Sequence, residues 1–152
     1  EEDFERTFKM LEELKFDRLG VFTYSCEEGT SAAGMGNQIS EEVKKERRNR
    51  IMELQMKISF EKNRELIGKT MEVLVEERTE DGNYFGRTYM DAPDIDNSVC
   101  FSSEESLEPG CFVPVRIYEA AEYDLEGFAV SRDRIAFSIQ KDSEPDLRED
   151  EK

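Results

Sequence analysis

The chain has 152 residues, a net charge of −16 and no histidine, and its length suits one ordinary domain or two small ones. Without histidine, we expect no serine-type or cysteine-type hydrolase triad. The sequence has no run of about 18 apolar residues, so no membrane span is predicted. It starts at Glu1 without a methionine or a secretory leader, which predicts an internal piece of a longer cytoplasmic protein.

Three cysteines, Cys26, Cys100 and Cys111, stand 74 and 11 residues apart. These spacings match neither a metal knuckle, nor an iron–sulfur run, nor a redox pair. We therefore interpret all three as buried, reduced thiols, which suits a reducing compartment. No metal site is predicted in this chain.

The first 40 residues predict a helix followed by a strand. Apolar residues at helical spacing indicate an amphipathic helix over residues 2–15, and they are Phe4, Phe8, Leu11 and Leu14. Residues 16–24 are nearly continuous in apolar side chains from Leu19 onward, as in a strand buried on both faces. A glycine-rich loop over residues 25–39 follows.

A long helix is predicted from the N-cap Ser40 to about Ile67, with Gly68 ending it. It has two apolar stripes, Ile51, Leu54 and Ile58 on one side and Met52, Met56 and Phe60 on the other, which favours a bridge packed between two neighbours. Its basic cluster consists of Lys44, Lys45, Arg47, Arg48 and Arg50. Nucleic-acid binding is one interpretation of the cluster; the favoured one is a solvated face paired with Glu42 and Glu46.

From Lys69 the apolar pattern alternates, and Asp81-Gly82 signals a hairpin turn. Five short strands are predicted at residues 69–79, 84–90, 98–102, 112–120 and 125–131. They suggest a five-stranded antiparallel barrel of the oligonucleotide/oligosaccharide-binding (OB) type, since closure hides the edges of so small a sheet. A short edge strand at Ile135, Phe137 and Ile139 is a further possibility, and the end of the polar segment 132–152 is expected to be disordered.

The predicted barrel is strongly acidic. Residues 69–126 contain 15 acidic and four basic side chains. Nucleic-acid affinity comes from Lys and Arg that neutralise phosphates, so that partner is disfavoured. A basic protein surface is the better electrostatic complement.

Several stretches resemble the C-terminal part of radical S-adenosylmethionine (radical-SAM) methylthiotransferases. Residues 16–25, with Glu27-Glu28-Gly29-Thr30 and Ala32-Ala33, resemble the end of their catalytic barrel. Residues 42–59 resemble their linker helix, and Gly68-Lys69-Thr70 with Gly86-Arg87-Thr88 resembles their TRAM domain. The resemblance implies a barrel remnant at 1–40, a linker helix at 41–68, a TRAM barrel at 69–131 and a tail at 132–152.

Two motifs are similar to the RimO branch, which adds a methylthio group to an aspartate of a small-subunit ribosomal protein. They are Glu27-Glu28-Gly29-Thr30 and the stretch from Tyr89 to Asp96. The resemblance implies a parent enzyme that uses S-adenosylmethionine and two four-iron clusters, with the ligands in an upstream radical-SAM domain. This chain alone would then be inactive and would bind no cofactor. The alternative is the nucleic-acid-binding TRAM module of a transfer-RNA methylthiotransferase.

Six residues are candidates for substrate binding: Glu27, Glu28, Arg87, Asp91, Asp94 and Asp96. Glu27 and Glu28 follow the predicted strand at the end that lines the active site of a β/α barrel, or else form a solvated turn. The three aspartates could hold basic side chains of the ribosomal protein, or form an Asx-rich turn around Pro93. Arg87 could bind substrate, although pairing with Asp91 is the favoured interpretation. No catalytic residue is assigned.

Overall fold

The computed structural model describes residues 1–93 and 97–131. Its elements are two helices followed by five strands, and they form two compact units, Glu1–Glu65 and a second that begins at Leu66. The predicted class, helices followed by a small closed β-barrel, is therefore confirmed. The predicted edge strand at Ile135, Phe137 and Ile139 and the tail from residue 132 lie outside the described residues.

The first unit contains α1 (Glu2–Leu14) and α2 (Glu41–Arg64). The Ser40 side chain accepts a hydrogen bond from the Val43 amide at 3.5 Å, which confirms the predicted N-cap. Cation–π contacts join the two helices, since the Arg50 guanidinium of α2 lies 4.8 Å from the Phe4 ring centroid and 5.1 Å from that of Phe8. Such contacts stabilise a helix pair at its surface as well as through its apolar face.

The strand predicted over residues 16–24 is wrong, because this segment has no regular secondary structure. A strand needs a neighbour that pairs with its backbone groups, and the described structure of the first unit contains no other strand. Side chains of α2 bind the segment's carbonyl groups instead: Gln55 to Phe16 at 2.9 Å, Arg48 to Val21 at 3.2 Å and Lys44 to Tyr24 at 3.0 Å. Phe22 is left 93% exposed.

The second unit is a closed barrel of five strands in the order β1-β2-β3-β5-β4. They are β1 (Thr70–Arg78), β2 (Tyr84–Arg87), β3 (Val99–Ser102), β4 (Phe112–Ala120) and β5 (Leu125–Ala129). All neighbouring strands are antiparallel except β3 and β5, which are parallel. The prediction of a wholly antiparallel barrel is therefore wrong in one pair. Strands that alternate in direction cannot close an odd-numbered ring without one parallel pair.

The barrel interior is tightly packed with apolar and aromatic side chains, and the Tyr84 hydroxyl accepts a hydrogen bond from the Leu107 amide at 3.2 Å. Its buried residues come from all five strands: Val73, Val75, Tyr84, Val99, Phe101, Val115, Ile117 and Leu125. A Cβ atom added at Gly86 would collide with the Leu74 carbonyl oxygen and approach the Val73 Cγ1 atom to 2.7 Å. Gly86 therefore lets β1 and β2 approach closely, which gives the glycine of the Gly86-Arg87-Thr88 stretch a physical reason.

The first hairpin follows the predicted turn. The Thr79 amide donates to the Asn83 carbonyl at 2.9 Å, and Gly82 has a φ of 92°. This left-handed conformation is the one that a glycine after aspartate adopts readily. Between the turn and Arg87 the β1–β2 register shifts between Val75 and Glu77, so Glu76 lies at a bulge, from which its side chain reaches Arg87.

Candidate functional site

A cleft of about 460 Å³ opens on the barrel beside the end of β2. Glu76, Glu77, Phe85 and Arg87 are among its lining residues. The Arg87 Nε atom donates to Glu76 Oε1 at 2.7 Å. Arg87 does pair with a carboxylate, as predicted, but this carboxylate belongs to Glu76 and not to the predicted partner Asp91. Arg87 is the single basic side chain among the described residues that line the cleft, so the pairing neutralises it and leaves Glu77 there as an unneutralised carboxylate.

Asp91 and Thr88 form a buried hydrogen-bonded pair in the turn after β2. Thr88 is 2% exposed and Asp91 is 6% exposed, and the Thr88 hydroxyl donates to Asp91 Oδ2 at 2.8 Å. The Met90 amide donates to the same hydroxyl oxygen at 3.1 Å. A buried, bonded carboxylate holds a turn together rather than meeting a partner, so the geometry favours a structural role of Asp91 in this turn, in which the Thr88 hydroxyl and not the Asp91 side chain bonds the Met90 amide.

Tyr89 lies beside this pair and is 86% exposed. The sequence reasoning missed it as a candidate, because a single aromatic in a turn has no periodic pattern. Its place next to a buried anchor at Asp91 is a signal that only the structure provides. Asp94 and Asp96 lie outside the described residues, and their substrate contacts stay predictions.

Glu27 and Glu28 lie in an exposed turn of the first unit. The Thr30 hydroxyl donates to the Glu27 carbonyl at 2.8 Å, and Gly29 has a φ of 83°. Both glutamate side chains are exposed, so they are accessible to a ligand. They belong to a different unit from Arg87 and Asp91, and the structure describes the two sets separately.

The basic cluster on α2 is largely engaged within its own unit. Lys44 pairs with Glu41 at 2.6 Å, Arg47 with Glu1 at 2.6 Å and Arg50 with Glu5 at 2.8 Å. The predicted partners Glu42 and Glu46 were wrong: Lys44 pairs with Glu41 one turn earlier in α2, and helix packing brings Glu1 and Glu5 to Arg47 and Arg50. Hydrogen bonding to Arg47 lowers the pKa of Glu1, and hydrogen bonding to Glu5 raises that of Arg50. Because these cations are paired with carboxylates of their own unit, the geometry disfavours nucleic-acid binding by the cluster.

The three cysteines are free, but they are not all buried as predicted. Cys26 is exposed because it lies at the start of the loop before Glu27, while Cys100 and Cys111 are half-buried on the barrel. Burial raises the pKa of the Cys100 thiol, and the nearby carboxylate of Glu126 raises it further. Nowhere in residues 1–93 and 97–131 do three or more potential metal ligands cluster. None of the described helices is long and apolar enough to cross a membrane.

Comparison with known proteins agrees with this architecture. Residues 67–130 match the TRAM domain family. The chain is 53% identical over 127 residues to the ribosomal protein uS12 methylthiotransferase RimO of Clostridioides difficile. The enzymes of the same name from Desulforamulus reducens and Thermus thermophilus are 52% identical over 129 residues and 46% identical over 127 residues. Each alignment covers 84% of this chain and 29% of the relative.

The second unit is thus a TRAM domain with an OB-like closed barrel. The chain as a whole fits the C-terminal part of a RimO-type methylthiotransferase, as the resemblance of its motifs predicted. It spans less than a third of the length of these curated relatives.

Proposed function

We propose that this chain is the substrate-recognition region of a cytoplasmic radical-SAM methylthiotransferase that modifies an aspartate of a small-subunit ribosomal protein. The relatives are named for the ribosomal protein uS12. The observation that carries the recognition role is the charge of the barrel, with 15 acidic and four basic side chains in residues 69–126. Ribosomal proteins that contact phosphate are rich in Lys and Arg, so the two surfaces complement each other.

The barrel's few basic groups are partly engaged, which strengthens the argument. Arg87 pairs with Glu76, and the Arg78 guanidinium lies 5.6 Å from the Tyr84 ring centroid. Nucleic acid needs cations that are free to replace the counterions of its phosphates. A surface with this charge balance repels phosphate and attracts a basic protein.

We assign substrate contacts to Glu77 in the cleft and to the exposed Tyr89 of the turn that Asp91 holds, and Asp94 and Asp96 are proposed as further contacts. Arg87 keeps Glu76 in place on the opposite strand. Glu27 and Glu28 are assigned to the substrate or S-adenosylmethionine in the complete catalytic site. Exposed ion pairs contribute about 0–1 kcal/mol each, so recognition requires several of them together.

The methylthiolation chemistry is assigned to the part of the relatives that lies outside this chain. S-adenosylmethionine and the iron–sulfur clusters of the parent enzyme supply that chemistry. A four-iron cluster needs a set of cysteine thiolates, and the described residues bring no such set together. The isolated chain should therefore not cleave S-adenosylmethionine. Cleavage by the purified chain would contradict this assignment.

Binding of the basic ribosomal protein and of transfer RNA tests the recognition role. Titration at low and at moderate salt should show protein binding that weakens with salt, because screening reduces long-range attraction. The double variant Asp94→Asn/Asp96→Asn should bind more weakly, whereas the charge-matched control Glu12→Gln/Glu13→Gln in α1 should not. Preferential binding to transfer RNA would overturn the proposal and support the nucleic-acid alternative.

A further inference from the structure

The outer face of β4 and β5 carries a stacked pair of exposed aromatic rings. Tyr118 is 53% exposed and Phe128 is 42% exposed. Their ring centroids are 6.5 Å apart and their planes differ by 17°. Because Ile117 and Leu125 fill the interior, neither ring contributes to the core. Large aromatic side chains that a soluble barrel leaves outside its core mark an interaction surface.

Carboxylates surround this aromatic pair. The Tyr118 hydroxyl donates to Glu126 Oε2 at 3.1 Å, so Glu126 lies on the same face. Residues 97–131 contain seven acidic side chains and a single basic one, Arg116, which pairs across the strands with Phe128. Arg116 therefore belongs to this face, but the carboxylates of Glu119 and Glu126 near Tyr118 outnumber it, so π surfaces combine with a net negative charge that suits a cation.

A groove of about 910 Å³ continues from the pair along the barrel, and Phe128 lines it. Phe112 and Pro114 supply apolar surface, and Glu104 and Glu105 supply charge. Apolar and acidic side chains thus line the groove next to the aromatic pair.

We propose that this aromatic face, defined as Phe112, Pro114, Tyr118, Glu126 and Phe128, binds an extended arginine-containing segment of the basic protein substrate. A guanidinium stacks on the Tyr118–Phe128 pair and bonds Glu126, while a neighbouring apolar side chain enters the groove. Arginine is favoured over lysine because its planar group stacks and bonds at the same time. The inference rests on the proposed function and names a second contact surface besides the cleft at Arg87.

Charge argues against a nucleic acid as the occupant. Bases also stack on aromatic rings, but the adjoining phosphates need a positively charged groove. Here the phosphates would meet Glu104, Glu105 and Glu126, and Arg116 is the single basic side chain that β4 and β5 themselves contribute. A basic peptide would instead be attracted by the same carboxylates.

The test uses the 152-residue chain and a synthetic peptide in which arginines alternate with apolar residues. Signals of Tyr118 and Phe128 should shift on titration in nuclear magnetic resonance spectra. The double variant Tyr118→Leu/Glu126→Gln should weaken binding about tenfold, since one desolvated cation–π contact and one ion pair are lost. The control variant Phe22→Leu/Glu80→Gln replaces an exposed aromatic ring and a glutamate elsewhere and should change the Kd less than twofold. Replacing the arginines by lysines should weaken binding about threefold or more.

Other outcomes separate the two proposals. If the double variant binds the ribosomal protein as tightly as the unaltered chain does, this inference fails and the proposed function stands. If the unaltered chain binds neither protein nor peptide, the proposed function itself fails. Two results would assign the face to another occupant and overturn the inference. One is a stronger response of Tyr118 and Phe128 to an RNA oligonucleotide, and the other is a shift of their signals on deletion of residues 132–152 without any peptide.

Discussion

The two units of this chain are stabilised in different ways. In the barrel, each strand pairs with two neighbours around a sealed apolar core. In the first unit, only Leu11, Ile51 and Ile58 are buried apolar residues, and Phe22 is almost fully exposed. Its segment 16–24 is held by hydrogen bonds from side chains of α2. Closure makes a small barrel self-sufficient, whereas a helix pair with an unpaired segment depends on surface contacts.

The largest expected effect is a loss of stability in the barrel alone. Gly86→Ala places a methyl group against the Leu74 carbonyl oxygen and Val73, so the unfolding free energy of the barrel should fall by about 3 kcal/mol. Chemical denaturation followed by circular dichroism measures it. Gly36→Ala is the matched control, because nothing lies within 4 Å of its added Cβ. A Gly86→Ala variant as stable as the control would contradict the packing that closes the barrel.

A smaller loss of stability is expected when a buried hydrogen bond of the first unit is removed. Gln55 is buried, donates to the Phe16 carbonyl at 2.9 Å and to the Ser59 hydroxyl at 3.1 Å. Gln55→Leu leaves both acceptors without that donor and should destabilise the unit by about 1–2 kcal/mol. Hydrogen exchange should report faster opening of α2, with no change in the barrel amides. Equal acceleration in both units would show that they unfold together.

The buried pair in the turn after β2 should have an effect of similar or smaller size. Thr88→Val removes the hydroxyl that bonds Asp91 Oδ2, and the loss should be about 1 kcal/mol, felt by the barrel. The exposed Thr70→Val serves as the control. If Thr88→Val left stability unchanged but weakened binding of the ribosomal protein, the structural role given to Asp91 would be wrong.

The smallest effect concerns an exposed ion pair. Hydrogen bonding to Lys62, at 2.6 Å, holds the pKa of Asp17 below its ordinary value. A lowered carboxyl pKa adds stability above the unfolded value of about 4, and this contribution is lost as the pH falls through the folded pKa. Carboxyl titration by nuclear magnetic resonance should show the Asp17 pKa rising in Lys62→Met. An unchanged pKa would remove Lys62 as the cause.

The same contrast explains what the sequence could predict. The barrel strands were predictable because alternation and the Asp81-Gly82 turn are local signals that agree with the final fold. Segment 16–24 was mispredicted because a strand depends on partners that are distant in sequence. The ion-pair partners of Arg50 and Arg87 were mispredicted for the same reason, because helix packing and the pairing of β1 with β2 determine which carboxylates lie nearby. The sequence pattern around Asp91 left two interpretations open, because the burial of this residue depends on its hydrogen bond with the Thr88 hydroxyl.

We propose that the acidic barrel recognises a basic protein, while the basic face of α2 is engaged within its own unit. Mapping the amide shifts of the 152-residue chain on addition of the basic ribosomal protein tests this claim most directly. We expect the shifts to fall on the barrel, around Glu77, Tyr89, Tyr118 and Phe128, and to diminish with salt. Shifts concentrated on Lys44, Lys45 and Arg48 of α2, or larger barrel shifts with transfer RNA than with the protein, would contradict it.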